Sequence, residues 1–282
     1  MRNARETSIL WLLRVLAYGM VAAVGWIVLD IARHGIPALG IEFLAGFPKK
    51  GGAEGGILPA IVGTLCLVLG TLAAALPLGM ASAVYLSEYA RQGRLVRLIR
   101  LAVVTLAGVP SIVFGLFGLG LFVLALHFGA SILAGSLTLA CMILPTIVVS
   151  SEEALRAVPR SFREGSLALG ATRWQTIYRN VLPYSLPGML TGAILGVGRA
   201  AGETAPILLT AAAFYLPKLP RSIFDPVMAL PYHVYVLATQ LPASDRVRAM
   251  QYGTALVLLA LVLFVNFGAI LLRSRIRKKY RW

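Results

Sequence analysis

Six runs of apolar residues, each long enough to cross a lipid bilayer, decide what this chain can fold into. They occupy residues 8–31, 57–86, 101–127, 131–151, 185–215 and 251–272. A helix rises about 1.5 Å per residue and the hydrocarbon layer is about 30 Å thick, so some 20 apolar residues make one crossing. Inside hydrocarbon the backbone has no water to bond, and a helix satisfies every N–H and C=O within a single run. The expected fold is therefore all-α, a polytopic membrane protein with six transmembrane helices. The runs at 57–86 and 185–215 exceed the minimum, which predicts tilt or projection beyond the hydrocarbon.

Composition supports the same class. Of 282 residues, 59% are apolar and only 13% charged, with a mean hydropathy of +0.83. A soluble domain carries about 25% charged residues, so this chain lacks the polar surface for one. Its formal net charge is +15, and the cations alternate between the connecting segments. Arg2, Arg5, Arg91, Arg94, Arg97, Arg100, Arg156, Arg160, Arg163, Arg173, Arg179 and the tail fall on one side. Lys49, Lys50, Lys218, Arg221, Arg246 and Arg248 fall on the other. The richer side is cytoplasmic by the positive-inside rule, so both termini are expected in the cytoplasm of a cell with this chain in its inner membrane. Charge placed this way points to membrane lipid and away from nucleic acid. The basic tail, 273–282, reads as a stop-transfer anchor on anionic lipid.

Residues 1–33 follow the pattern of a signal peptide, but the apolar part is too long and lacks a convincing A-x-A site. They read as an uncleaved anchor helix. Residues 34–56 form an outer loop with a flexible Gly-rich turn at 46–56, and 57–272 form the membrane domain. Within 223–241, Pro226 and Pro231 break an apolar stretch too short to cross, which predicts an interfacial or re-entrant segment on the outer face. Cys66 and Cys141 sit inside apolar runs and read as packing residues. His34, His127 and His233 are scattered, so no metal site is expected.

Two features carry chemistry. The run Gly198-Arg-Ala-Ala-Gly-Glu-Thr-Ala-Pro206 places Arg199 and Glu203 near mid-membrane in the fifth span. Each charge costs about 2.5–3.5 kcal/mol at a helix centre, so neither is expected to face lipid. At i and i+4 they share a face and can pair. They either line a polar path, with the Arg199 guanidinium offered to an anion, or neutralise each other as a bridge between helices. Gly192, Gly196, Gly198 and Gly202 read as small residues that let neighbouring helices approach. The second feature is the cytoplasmic loop 152–184, expected to hold two short amphipathic helices joined at Gly170 and stopped by Pro183. A loop of some 30 residues with its own helices suits docking to a partner.

That loop reads Glu164-Gly165-Ser166, Leu167-Ala168-Leu169, Gly170-Ala171 and, with nine residues between it and Gly170, Asn180-Val181-Leu182-Pro183. Its spacing resembles the EAA motif of ABC importer permeases (E-A-A-x3-G-x9-I-x-L-P). Glu164, Gly170, Leu182 and Pro183 match; Gly165, Ser166 and Asn180 depart. Further stretches begin at Gly55 (GGILPAIVGT), Val109 (VPSIVFGLFG), Leu144 (LP), Ser166 (SLALGATRW) and Gly198 (GRAAGETAP). Together they resemble the PstA family of phosphate-uptake permeases, from about residue 55 to the C-terminus.

The resemblance implies a type I ABC importer (MetI-like) permease fold and half of a translocation pore. A PstC-like permease would supply the other half, and two PstB-like ATPase subunits would bind ATP and magnesium below. A PstS-like periplasmic protein would deliver phosphate. Arg199, Glu203 and Thr204 fall on the family's substrate pathway. Residues 164–171 with Leu182 and Pro183 fall on its ATPase-coupling loop. The sister PstC-type subunit and a permease for another oxyanion remain alternatives.

No G-x-x-x-x-G-K-[ST] or H-E-x-x-H run occurs, so this chain is expected to be neither the ATPase nor any other enzyme, and to hold no cofactor or metal of its own. A secondary transporter or channel would be expected to show inverted repeats, and the halves show none.

Overall fold

The computed structural model describes residues 4–52, 54–242 and 244–279. Arg2 and the tail's last three residues, Tyr280, Arg281 and Trp282, lie outside the described residues. The chain begins with α1 (Ala4–Gly35), α2 (Ile41–Ala45) and a hairpin of β1 (Pro48–Lys49) and β2 (Glu54–Gly55). It continues through α3 (Leu58–Val84), α4 (Arg94–Leu106), α5 (Ser111–Gly118) and α6 (Ile132–Ala157). After these come α7 (Arg160–Ala168), α8 (Arg173–Thr176), α9 (Leu182–Gly202), α10 (Ala205–Thr210), α11 (Leu230–Thr239) and α12 (Asp245–Lys279). Among the described residues five helices are long and apolar enough to cross a membrane, and a bent pair brings the number to six when counted as one span.

That pair corrects the third run. α4 meets the helix Ser111–Ala125 at 105° rather than continuing it. Pro110 has no N–H to donate and holds Val109 out of the helical region, so the chain turns there. α4 is itself amphipathic, with Arg94, Arg97 and Arg100 along one side and the exposed apolar Leu95, Leu98 and Ile99 along another.

Helix α6 is the centre of the molecule. Leu139, Met142, Ile143 and Ile147 are buried between α3 and α9 and join Leu67, Ala75, Phe114 and Ile207 in the main core. α1, by contrast, packs along α12 and leaves its apolar side chains exposed, as a lipid-facing helix does.

Segments 46–56 and 223–241 are more ordered than their composition suggests. The Gly-rich turn is a closed hairpin, not a flexible loop: Gly51, Gly52 and Gly55 take positive φ of 67°, 89° and 92°, a region glycine enters without steric cost. Glu54 ties it down, accepting from Lys50 Nζ at 2.9 Å and Arg246 Nη1 at 2.8 Å. Within residues 223–241, α11 is too short to cross a membrane, as expected, and it packs into the helix bundle. Leu230 N donates to Thr64 Oγ1 at 2.8 Å, and α11 is buried against α3 and α12. The same stretch caps α6, whose free N–H groups need partners. Ile132 N donates to the Asp225 carbonyl and Leu133 N to the Ile223 carbonyl. Asp225 is held by the Arg221 and Ser222 N–H groups, which keep its carboxyl below the usual range.

Candidate substrate path and coupling knob

Helix α9 lies against α6 through its small residues. Gly192 faces Ser150, Gly196 faces Ile143 and Gly198 faces Asn266 of α12, whereas Gly202 has open space beside it. An added methyl at Gly192 or Gly196 would meet α6; at Gly202 the packing role expected from the sequence is absent.

The helix then stops. Glu203 takes an extended conformation (φ −75°, ψ 133°), and Pro206 enters the first turn of α10, where its missing N–H costs nothing. The fifth run is therefore two helices with a break at Glu203-Thr204, not one continuous span. Depth follows from the neighbours. Gly196 sits beside Ile143, halfway along α6, and the Thr210 carbonyl accepts from Ser131 N at the start of α6. Arg199 and Glu203 lie between these two levels of α6.

Arg199 ends α9 where the helix dipole favours a cation. Its Nε reaches Glu203 Oε1 at 3.4 Å, with the side chains 35% and 18% exposed. The two terminal amino groups make no other hydrogen bond among the described residues. A fork of two N–H groups thus stays available beside an interrupted helix, the arrangement that suits a two-point bond to an oxyanion. Thr204 follows in the break, its carbonyl accepting from Leu208 N.

At the other end of the bundle, α7 and α8 form a compact knob. Gly170 has φ +82°, and the Ala171 and Gly170 N–H groups bond back to the Ser166 and Leu167 carbonyls, which is the Schellman closure of a helix. Thr172 and Gln175 then cap α8 reciprocally, and Ser166 Oγ lies 3.0 Å from Thr176 Oγ1. The knob presents Glu164, Gly165, Leu167, Ala168, Leu169 and Gly170 to the outside, with Leu169 90% exposed. Ser166 and Ala171 are half-buried behind them. Trp174 and Tyr178 stack at 5.8 Å and add exposed apolar surface.

Leu182 and Pro183 are elsewhere. They sit in the base, where Leu182 packs beside Ala83, Leu155, Val181 and Met189. Pro183 does not stop the preceding helix. A π turn at Ile177–Val181 widens the coil just before it, and the helix runs on from Arg173 to Gly202.

The sequence reading missed what anchors the knob. Arg163 donates to both Glu88 oxygens and to the Leu155 and Val158 carbonyls. Glu152 Oε1 lies 2.8 Å from Arg100 Nε and 2.6 Å from Arg156 Nη2. The available signal was the rarity of acids, 11 in the whole chain, with two of them at the ends of spans beside the 152–184 loop. His233, read from the sequence only as one of three scattered histidines, is 3% exposed with no hydrogen-bond partner for either ring nitrogen among the described residues.

Residues 75–281 match the family described as binding-protein-dependent transport system inner membrane component. The probable ABC transporter permease protein YqgI of Bacillus subtilis is 34% identical, with 88% of each chain covered. The phosphate transport system permease protein PstA of Mycobacterium leprae is 42% identical over 76% of this chain and 70% of its own. The inward-facing MetNI methionine ABC transporter structure superposes with a TM-score of 0.58 at 18% identity, covering 78% of this chain and 94% of that one. The chain therefore has the type I ABC importer permease fold and belongs to the binding-protein-dependent transport system inner membrane components, with homologues among the PstA permeases.

Proposed function

We propose that this chain forms half of the translocation path of an ATP-driven phosphate importer. The observation that carries the reading is the open fork of Arg199 at a helix break within the apolar run 185–215. A phosphate anion entering low-dielectric surroundings needs a cation there, because its loss of hydration is otherwise uncompensated. Glu203 holds Arg199 by one nitrogen only, which fixes the fork's position without consuming it. The PstA name of the relatives supports phosphate over other oxyanions.

Power enters through the 152–184 loop, whose apolar tip at Leu169 and Trp174 fits a groove on a PstB-like ATPase. Two such subunits bind ATP and magnesium; a PstC-like permease completes the pore; a PstS-like protein delivers phosphate outside. Both termini face the cytoplasm, at the inner membrane, because the arginine-rich segments lie at the knob end.

The test is uptake of labelled phosphate by proteoliposomes. The complex assembled with its ATPase should accumulate phosphate only with ATP inside reach of the knob. Uptake by this chain alone, without ATP, would overturn the reading.

A further inference from the structure

Beside the coupling knob lies an open cleft of about 760 Å³ whose lining is dominated by arginine. Its floor is spent. Arg163 is committed to Glu88 and two carbonyls, and Arg100 to Gln92, the Leu86 carbonyl and Glu152. Its rim is not. Arg160 makes no hydrogen bond or ion pair among the described residues. Arg173 makes only a cation–π contact with Tyr89, 5.8 Å from the ring centre. Arg156 shares its carboxylate, Glu152 Oε1, with Arg100. Five arginines thus face Glu88 and Glu164 in the lining, with Glu152 close behind, and the cleft carries a net positive charge.

The positions of the two rim cations sharpen this. Arg160 and Arg173 are the first residues of α7 and α8, the helix ends where a cation is disfavoured by the dipole. An anion held between them relieves both. Guanidinium forks match the oxygens of a phosphate group in a way that ammonium groups do not. An incoming cation is offered little, because Glu88 and Glu152 are already engaged and Glu164, exposed at the rim, is outnumbered by the arginines.

We propose that this cleft is a site for a phosphate-class anion, bridged by Arg156, Arg160 and Arg173, that clamps the α7–α8 knob to the end of α6. The anion is either free inorganic phosphate or the headgroup of an anionic phospholipid. The first would let the transported ion act back on the coupling element from the side where it is released. The second would tie coupling to the charge of the inner leaflet.

The test uses the full-length protein in nanodiscs, with thermal unfolding as the readout. In zwitterionic phosphatidylcholine discs, inorganic phosphate at constant ionic strength should raise the midpoint saturably. Arg160→Gln/Arg173→Gln should weaken that response by about tenfold or more, and the double Lys variant, charged but without forks, by less. If phosphate has no effect but discs containing phosphatidylglycerol raise the midpoint of the wild type and not of the double Gln variant, the ligand is the headgroup. No response to either anion, or the same response in the double Gln variant, overturns the proposal. So does a double variant that binds both anions normally and loses only a co-purifying ATPase. Nanodiscs expose both faces and need no ATP, so this result stands apart from whether the chain imports phosphate.

Discussion

Arg163 grips both carboxylate oxygens of Glu88: its Nε lies 3.2 Å from Oε2 and its Nη2 lies 2.7 Å from Oε1. The two residues are 75 positions apart, and their bond joins the α7–α8 knob to the π turn Tyr85–Tyr89 that ends α3. Arg163 also reaches the Leu155 and Val158 carbonyls at the end of α6. A push on α7 therefore acts on α3 and α6 together, and these are two of the helices that pack around the core.

Glu88→Ala should loosen the knob without unfolding the bundle. It leaves a guanidinium, 21% exposed, without its carboxylate, at a cost of about 2 kcal/mol. Amide exchange across 160–171 should quicken while α9 stays protected. Arg163→Lys should behave like the loss of the pair, since an ammonium cannot grip two oxygens in this way. Unchanged exchange in 160–171 would show that the bond carries no restraint.

Gly170→Ala should cost about 1 kcal/mol, because φ is +82° and the closure to Ser166 needs that conformation. Open space surrounds its Cα, so backbone strain is the whole effect. Gly170→Asn should cost less, as asparagine tolerates the left-handed region. Thermal unfolding of the two variants checks the order; an Ala variant as stable as wild type would remove the strain argument.

Why the sequence told so much about the helices and so little about their ends is a matter of range. Burial of apolar runs is local, so α1, α3, α6 and α12 could be read from periods and lengths. The knob was legible in outline, because Gly170 marks the joint between its two helices, whereas the Thr172 cap and the π turn before Pro183 came only from the structure. The bend at Pro110 and the break at Glu203 were hidden inside apolar runs. A proline there can kink a helix or end it, and packing decides between them. Glu88 pairs with Arg163 and Glu152 with Arg100, partners contributed by other parts of the fold, which no spacing rule connects.

Arg199→Gln should lower phosphate uptake by about a hundredfold or more while the complex still assembles. The fork is lost, but the side chain is 35% exposed and holds no other helix. Arg199→Lys keeps the charge and loses the fork, and should fall between. Uptake assays with co-purification of the ATPase as the control separate the two roles. Normal uptake by the Gln variant would mean that Arg199 and Glu203 merely neutralise each other.

Acid should act on the segment around α11 through His233, which lies outside the candidate spans. Burial without a hydrogen-bond partner pushes its pKa down to about 4 from an ordinary 6.5. The native state holds the ring neutral, whereas an unfolded chain protonates it once the pH drops below about 6.5. Stability from this group is therefore fully present above 6.5 and declines as the pH falls from there toward 4, by about 3 kcal/mol in all. Below about 4 the native ring also takes a proton and the loss levels off. The ring lies close to Gly52 of the hairpin, so 46–56 and 223–241 should loosen first, seen as faster amide exchange at pH 5 than at pH 7. His233→Phe removes the titrating group and two buried nitrogens without partners, and should flatten the decline between 6.5 and 4. An equally steep decline in the Phe variant would assign the acid sensitivity to other groups.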